Sequence, residues 1–174
     1  MTAPDEDSSQ TRGDALTKAM PIGEARGVAE TPCIVREDDS LLEAAKALSA
    51  HRRMDIVIVV DGAGKLVGVI PARLLVDELF LQVAPEEFLA DIFDRERMEE
   101  YGRMVRARTA GDLMRAPVYL TATNTIGEAF KLMHEEDLEG VPIVDAEMRP
   151  SGYLERLELI KVWLQEHSLS DPAG

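Results

Sequence analysis

The chain repeats one pattern of residues, and this repeat constrains the fold more than any other feature. The two copies align at an offset of 85, which becomes 84 after one residue is dropped. The aligned segments are 31–48 with 116–133, 58–61 with 142–145, and 68–70 with 152–154. A unit repeated once, with gaps too long for a solenoid, predicts two half-domains that complete each other's core. The cleft between such halves is a natural ligand site.

Charge and length limit the class of protein. A chain of 174 residues fits one domain or two small units that share a core. Its formal net charge of −14 argues against a nucleic-acid partner or an anionic membrane, because both are polyanions. The longest apolar run, residues 56–60, is too short to span a bilayer, so no membrane insertion is expected.

The amino-terminal residues and the single cysteine predict a cytoplasmic location. Residues 1–14 are polar and acidic and lack the basic start and apolar core of a secretory signal. Cys33 is the only cysteine, which leaves no disulfide framework and no cysteine metal cluster. Cys33 itself falls in a predicted strand, where a small apolar side chain would fit the core. We therefore predict that Cys33 is a core residue and not a nucleophile.

Each repeat has the same predicted order of elements: strand, helix, strand, strand, helix. Each first helix opens with a capping box, in which a hydroxyl residue is followed three positions later by glutamate: Ser40 with Glu43, and Thr125 with Glu128. Residues 56–60 are all apolar, which predicts a strand buried on both faces. The predicted strands are 33–35, 56–60, 66–70, 118–120, 141–144 and 152–154, and the predicted closing helices are 72–81 and 156–167.

These elements predict an α/β (α+β) fold of two pseudo-symmetric β-α-β-β-α repeats packed through their sheets. The first helices are expected to bury apolar faces that include Leu48 in repeat one and Phe130 in repeat two. The predicted organisation is a mobile acidic tail at 1–13, repeat one at 14–81, a helical connector at 82–108, repeat two at 109–168 and a short tail at 169–174. Within repeat one, residues 21–31 are expected to form a loop.

Several short motifs resemble those of a known family. They are Gly-Asp-Leu-Met-Arg-Ala-Pro-Val at 111–118, Ile-Gly-Glu-Ala-Phe-Lys-Leu-Met at 126–133, Gly-Val-Pro-Ile-Val-Asp at 140–145, and Gly-Lys-Leu-Val-Gly-Val-Ile at 64–70. Together they resemble a pair of cystathionine-β-synthase domains, also called a Bateman module. The resemblance implies a non-catalytic regulatory module that binds adenosine nucleotides such as AMP or ATP, or an S-adenosyl compound, in clefts between the repeats. It also implies a disc-shaped homodimer that regulates a partner such as an enzyme or a transporter.

Repeat one departs from the ligand signature that the resemblance implies. That signature places a hydroxyl residue and then an aspartate after the third strand, where they would meet phosphate and ribose. Pro71 and Leu74 stand at these positions, and Ile56 replaces the glycine that lets a base approach the second strand. The first cleft is therefore expected to be lost for nucleotides.

Repeat two retains more of the signature, and its candidate ligand-binding residues are Gly140, Val141, Pro142, Glu155 and Glu158. Gly140 to Pro142 would contact the base, and Glu158 could hold a ribose diol. Glu155 stands in place of the hydroxyl residue, and its anion would repel a phosphate unless a cation intervened. The alternative is that Glu155 and Glu158 are ordinary first-turn carboxylates, which the dipole of the last helix favours.

The connector and the histidines leave further alternatives. Leu89, Ile92 and Phe93 belong to a partial apolar stripe that could pack on the chain's own core or form a docking helix for a partner. The histidines, His51, His134 and His167, lack metal-ligand spacing on one helix face, and no metal site is predicted.

The leading hypothesis is therefore a regulatory ligand-binding module, and the alternative is a structural or adaptor dimer with vestigial clefts. An enzyme is disfavoured because these residues assemble no catalytic constellation.

Overall fold

A computed structural model describes residues 18–25, 29–51, 54–83 and 107–168. The predicted tails lie outside the described residues, as do Arg52, Arg53 and residues 84–106 of the predicted connector. The helices are α1 (Leu41–Ser49), α2 (Ala72–Val83), α3 (Ala110–Leu113), α4 (Ile126–Glu135) and α5 (Arg156–Ser168), with a 3-10 turn at Ile22–Glu24. The strands are β1 (Ala29–Glu30), β2 (Ile34–Arg36), β3 (Ile56–Val60), β4 (Leu66–Pro71), β5 (Leu120–Thr121), β6 (Gly140–Val144) and β7 (Pro150–Glu155). The fold is mixed α/β, as predicted.

The chain forms two compact units, each built around one repeat. The repeat-one unit contains the described residues of 32–118 together with 146–150. The repeat-two unit contains the described residues up to 31, and then 119–145 and 151–168. The lead-in segment of each repeat, which comes before its first strand, therefore belongs to the unit of the other repeat; the lead-ins are the described residues up to 31 in repeat one and residues 107–118 in repeat two.

Three strands form the sheet of the repeat-one unit, in the order β2-β3-β4. β2 runs parallel to β3, and β3 runs antiparallel to β4 with Ile56 opposite Pro71. Every residue of β3 is buried, which confirms the prediction from its all-apolar sequence. The helices α1 and α2 pack against each other and against this sheet.

Four strands form the sheet of the repeat-two unit, in the order β1-β7-β6-β5. β5 runs parallel to β6, and β6 is buried along its whole length. The strand β1 was expected to be part of a loop at 21–31, and this expectation was wrong: Ala29 lies opposite Leu154 and Glu30 opposite Tyr153, antiparallel to β7. Two residues carry no alternating pattern, so only their pairing with a distant strand defines β1 as a strand.

Both predicted capping boxes are present. Ser40 Oγ accepts from the Glu43 amide at 3.2 Å, and a Glu43 carboxylate oxygen accepts from the Ser40 amide at 2.9 Å. In repeat two, Thr125 Oγ1 accepts from the Glu128 amide at 3.2 Å, and Glu128 accepts from the Thr125 amide at 2.8 Å. These amide bonds are the main reason that the pKa of each glutamate is lowered.

The exchanged lead-in segments make matching hydrogen bonds in the two units. Each lead-in donates two amide hydrogen bonds to the turn that precedes the first helix of the other repeat, with which it shares a unit. The bonds run from Ala110 to the Asp39 carbonyl (2.8 Å), from Gly111 to Glu37 (2.8 Å), from Ile22 to Asn124 (2.8 Å) and from Gly23 to Ala122 (2.9 Å). The acceptors in the two units are related by the offset of 85, so the pseudo-symmetry of the sequence extends to the backbone frame.

One predicted core position faces outward. Phe130 lies on α4 at helical spacing from buried Ile126, Ala129 and Met133, yet its side chain is 56% exposed. Its ring stacks on His134 one turn later, with centroids 6.3 Å apart. The buried stripe of α4 is therefore narrower than the apolar pattern indicated.

Candidate functional site

The start of β6 and the end of β7 meet at one edge of the repeat-two sheet. The Arg156 amide donates to the Glu139 carbonyl at 2.7 Å. Because Gly140 follows one partner of this bond and Glu155 precedes the other, the structure brings these two predicted site residues to the same edge. Val141 and Pro142 continue along β6 and are fully buried.

The open side of Gly140 is occupied by an aromatic ring. A Cβ atom at Gly140 would lie 2.1 Å from the phenolic oxygen of Tyr153 and 2.3 Å from Cζ. Tyr153 is completely buried in β7, the neighbouring strand. In this conformation the glycine makes room for Tyr153, and a ligand base that reached Gly140 from this side would have to displace the ring.

The two predicted carboxylates lie close to this edge and are almost completely buried. Glu155 is the last residue of β7 and is 8% exposed, while Glu158 is 2% exposed in the first turn of α5. Glu158 forms a direct ion pair with Lys161, whose side chain is half exposed. The position of Glu158 suits the helix dipole, as the structural alternative requires, and it also places a carboxylate beside the end of β7.

Arg156 is an organising residue that the sequence interpretation missed. Its guanidinium Nη2 donates to the carbonyls of Met133 and Leu138, both at 2.8 Å, and its Nε lies 3.8 Å from a carboxylate oxygen of Glu139. A cation at the carboxyl-terminal end of α4 is favoured by the helix dipole, and it links α4 to the start of α5. No local pattern marks this role, because two of its partners are 23 and 18 residues away.

The equivalent edge of the repeat-one sheet has the same backbone bond but different side chains. The Ala72 amide donates to the Asp55 carbonyl at 2.5 Å, as Arg156 does to Glu139. Ile56 is fully buried opposite Pro71, and Leu74 is half-buried on α2. None of these three side chains has a hydrogen-bonding group for a ribose or a phosphate.

Two other buried groups carry potential chemistry. Cys33 is completely buried beside β2, and burial raises the pKa of its thiol to about 11, which disfavours the reactive thiolate. Glu78, on α2, is also completely buried. Gln82 donates to one of its carboxylate oxygens at 3.1 Å, whereas the other oxygen has no hydrogen-bond partner among the described residues. Desolvation raises the pKa of Glu78, and the sequence interpretation did not identify this residue.

The described part of the chain presents neither a metal-binding cluster nor a membrane-spanning helix. Its histidine, cysteine, aspartate and glutamate side chains form no group of three or more that could hold a metal ion. Among the same residues, no helix combines the length and apolarity needed to cross a membrane.

A family model for the CBS domain matches residues 25–81 and 110–164, more than half of the chain. The chain belongs to the CBS domain family. The two matched regions correspond to the two repeats, which makes the chain a CBS pair. No curated protein sequence matches it.

Solved CBS structures share the fold at low sequence identity. A CBS domain-containing protein from Thermotoga maritima is 22% identical, with a TM-score of 0.63 over 82% of this chain and 92% of that one. The CBS domain pair of protein MJ0100, in complex with 5′-methylthioadenosine and S-adenosyl-L-methionine, is 18% identical, with a TM-score of 0.61 over 85% and 98%. CBSX2 from Arabidopsis thaliana, in complex with AMP, is 21% identical, with a TM-score of 0.58 over 83% and 96%.

Proposed function

We propose that this CBS pair is a regulatory module that binds an adenosine-type ligand in its repeat-two unit and has no catalytic activity of its own. The observation that carries the proposal is the difference between the two sheet edges. The repeat-two edge combines a glycine with two carboxylates, whereas the repeat-one edge has Ile56, Pro71 and Leu74. Complexes of two CBS neighbours with AMP, 5′-methylthioadenosine and S-adenosyl-L-methionine support this ligand class.

Charge favours one member of that class. Glu155 and Glu158 are both nearly buried, where a carboxylate repels a phosphate more strongly than at an exposed position, although Lys161 offsets part of the charge of Glu158. A sulfonium cation would instead be attracted, and the carboxylate of Glu158 can accept hydrogen bonds from a ribose diol. We therefore expect S-adenosyl-L-methionine to bind more tightly than AMP or ATP.

A thermal-shift panel tests the ligand. At a concentration about 100 times its dissociation constant, a ligand stabilises the folded state by about 2.7 kcal/mol. For a chain of this size, such a gain corresponds to a rise in Tm of roughly 5–10 °C. We expect this rise with S-adenosyl-L-methionine and a smaller one with 5′-methylthioadenosine, which lacks the cation. If no adenosine compound at millimolar concentration raises Tm, the proposal fails.

Glu158→Gln tests the residue, because it keeps the shape of the side chain and removes its charge. We expect binding of S-adenosyl-L-methionine, measured by calorimetry, to weaken about tenfold or more, the typical cost of losing a charged hydrogen-bond acceptor. The matched control is Glu136→Gln, which neutralises an exposed carboxylate after α4. Equal affinities of the two variants would remove Glu158 from the site.

The alternative function is a structural adaptor with vestigial clefts, and Tyr153 is the observation that favours it. Its ring fills the open side of Gly140, as expected of a site that has become part of the core. This alternative predicts no ligand-induced shift in Tm together with unchanged self-association of Glu158→Gln, measured by light scattering.

We propose that the chain acts as a homodimer in the cytoplasm and regulates an enzyme or a transporter. Exposed apolar side chains on α4 and α5 support self-association, because contiguous apolar patches on soluble proteins commonly mark interfaces. Light scattering measures the dimer, and affinity capture of the intact chain with and without S-adenosyl-L-methionine measures ligand-dependent partner binding.

A further inference from the structure

The helix pair of the repeat-one unit has exposed apolar side chains. Val76 and Phe80 lie one turn apart on α2, Leu42 lies on α1, and all three are exposed. The two helices pack against each other. We call these three residues the α1–α2 face. Because exposed apolar groups on neighbouring helices commonly mark a contact surface, the face calls for an occupant.

The chain leaves α2 and returns to the helix pair at the same end. After α2, residues 84–106 lie outside the described residues, and the description resumes at Ala107. Gln82 Nε2, in the last turn of α2, lies 3.5 Å from the Ala107 carbonyl oxygen. The Leu41 amide, at the start of α1, donates to the Arg108 carbonyl at 3.3 Å. The return point therefore contacts the last turn of α2 and the first turn of α1.

Every residue of the α1–α2 face is close to these two points. Phe80 is in the last turn of α2, and Leu42 is in the first turn of α1. Val76 lies one turn before Phe80, about 10 Å from the end of the helix at 1.5 Å per residue. Since an extended chain covers about 3.3 Å per residue, the segment 84–106 can reach the whole face with a few residues at either end.

The segment also carries apolar side chains that match such a surface. Phe88 and Ile92, and likewise Leu89 and Phe93, are four residues apart, which predicts one apolar side of a helix. Burying apolar surface stabilises the folded chain by about 25 cal/mol per Å². Among the described residues, Phe80 is the large exposed apolar residue closest to this stripe in the sequence.

We propose that the segment 84–106 covers the α1–α2 face of its own chain, with the stripe around Ile92 packed on Val76 and Phe80. The sequence leaves two uses for the stripe, packing on the chain's own core or docking of a partner. The positions of Gln82 and Ala107 favour the first, because the ends of the segment are already held together beside the face.

The free-energy cost of the two uses differs for the same reason. Packing on the neighbouring face adds little loop-closure entropy once both ends are fixed at one place. Docking on a separate molecule would also cost the translational and rotational freedom of that molecule. The α1–α2 face is then an internal surface of the repeat-one unit, and a partner protein finds no free apolar surface there.

Limited trypsin digestion of the full chain tests the contact. Val76→Asp places a charge on the face at an exposed position, and Ile160→Asp makes the same change at the equivalent exposed position on α5. We expect Val76→Asp to speed cleavage of the segment at least about tenfold, because cleavage follows the population of the open form, and Ile160→Asp to leave it unchanged. Mass spectrometry identifies cleavage after the arginines of the segment, which are Arg95, Arg97, Arg103 and Arg106.

Two digestion results would overturn the proposal. One is equal cleavage of wild type and Val76→Asp, which would show that the segment does not depend on the face. The other is faster cleavage of Ile160→Asp, which would place the segment on α5. Far-UV circular dichroism checks that both variants remain folded.

Disulfide trapping provides a second test that does not require a charged substitution. Leu89→Cys, Ile92→Cys and Phe93→Cys are each combined with Val76→Cys and, as the matched control, with Ile160→Cys. We expect at least one pair with Val76→Cys to cross-link about tenfold faster than any pair with Ile160→Cys, because only packed residues bring their Cα atoms within disulfide range. The rate should not depend on protein concentration, since both thiols belong to one chain.

The position of the cross-link decides between the possible occupants of the face. Cross-links between chains would assign the face to a second copy, and faster cross-linking to Ile160→Cys would assign the segment to α5. Either result, or no cross-link with Val76→Cys at any of the three positions, would overturn the proposal. Wild type is the control for background oxidation, because the native Cys33 is buried.

Discussion

The two units share a backbone frame but differ in what fills it. Equivalent amides and carbonyls join the end of each β-hairpin, Ala72 to Asp55 and Arg156 to Glu139. On one face of the hairpin, repeat one has two medium side chains, Ile56 and Val69, whereas repeat two has Gly140 and the large Tyr153 at the same positions. A duplicated backbone can therefore hold different sets of packed side chains, and only the repeat-two set leaves carboxylates at the sheet edge proposed to bind the ligand.

The largest change in stability is expected when repeat two receives the repeat-one residue at one of these two positions and keeps its own residue at the other. Gly140→Ile places a branched side chain where Tyr153 already lies, since even a Cβ atom would be 2.1 Å from the phenolic oxygen. Both residues are buried, so we expect the free energy of unfolding to fall by about 3 kcal/mol or more, as in severe overpacking. Urea denaturation followed by circular dichroism measures the loss.

The double variant Gly140→Ile with Tyr153→Val gives repeat two both of the repeat-one residues at these positions. If side-chain volume couples the two positions, the double variant should lose at least about 2 kcal/mol less stability than the sum of the losses of the two single variants. Additive losses would mean that Tyr153 and Gly140 are not exchangeable with Ile56 and Val69 as a pair.

An intermediate change in stability is expected at a buried position where repeat one has a carboxylate and repeat two has an apolar residue. Glu78 is equivalent to Val162, and both are buried. Glu78→Val removes a carboxylate that lacks a partner for one oxygen among the described residues, so we expect the free energy of unfolding to rise by about 1 kcal/mol at pH 7. The small cavity left by the shorter side chain limits the gain.

The pH dependence identifies the cause of this gain. Because desolvation raises the pKa of Glu78 in the folded state, folding favours the protonated form. The wild type is then relieved of this cost below the unfolded pKa of about 4.3 and loses stability as pH rises through the folded pKa. The advantage of Glu78→Val should therefore shrink from pH 7 towards pH 4. Glu78→Gln, which keeps the shape, should show the same trend. An advantage independent of pH would assign the effect to packing.

The smallest changes in stability are expected at the capping boxes, which both repeats have. Ser40→Ala and Thr125→Ala each remove the hydroxyl of one capping box, and we expect each to lower the free energy of unfolding by about 0.5–1 kcal/mol. Hydrogen bonds also lower the pKa of Glu43 and Glu128, so each box contributes above the unfolded pKa and its contribution is lost as pH falls through the lowered folded value. Losses that differ by more than about twofold would show that the frames are less equivalent than their bonds suggest.

Most of the fold could be predicted because its signals are local. Each capping box spans four residues, and the buried strand β3 is a continuous run of Ile and Val. Their backbone preferences and hydrogen bonds depend on neighbours in the sequence, so pattern and propensity identify them. The candidate site could be predicted only as positions that match the ligand signature of the family. The sequence identifies Gly140 and Glu158 as such positions, but it does not show which side chains surround them.

The missed features all depend on distant partners. β1 is a strand only because Ala29 and Glu30 pair with β7, and Arg156 finds its acceptors on the far end of α4. Phe130 satisfies the helical spacing of a core residue, yet the stripe that α4 buries is narrower than that spacing. The contacts that decide β1 and Arg156 join residues far apart in the sequence, and the width of the buried stripe on α4 depends on the elements packed against that helix, β6 and α5.

The order of the residues is enough to define a doubled β-α-β-β-α chain with matching capped helices and unlike ligand signatures, because repeats, caps and residue types are local properties of the sequence. Two features follow only from the folded chain: each lead-in segment belongs to the unit of the other repeat, and Tyr153 lies in the space beside Gly140. Both depend on which distant surfaces exclude water together and on the volume left between them, and no short segment of the chain encodes either quantity.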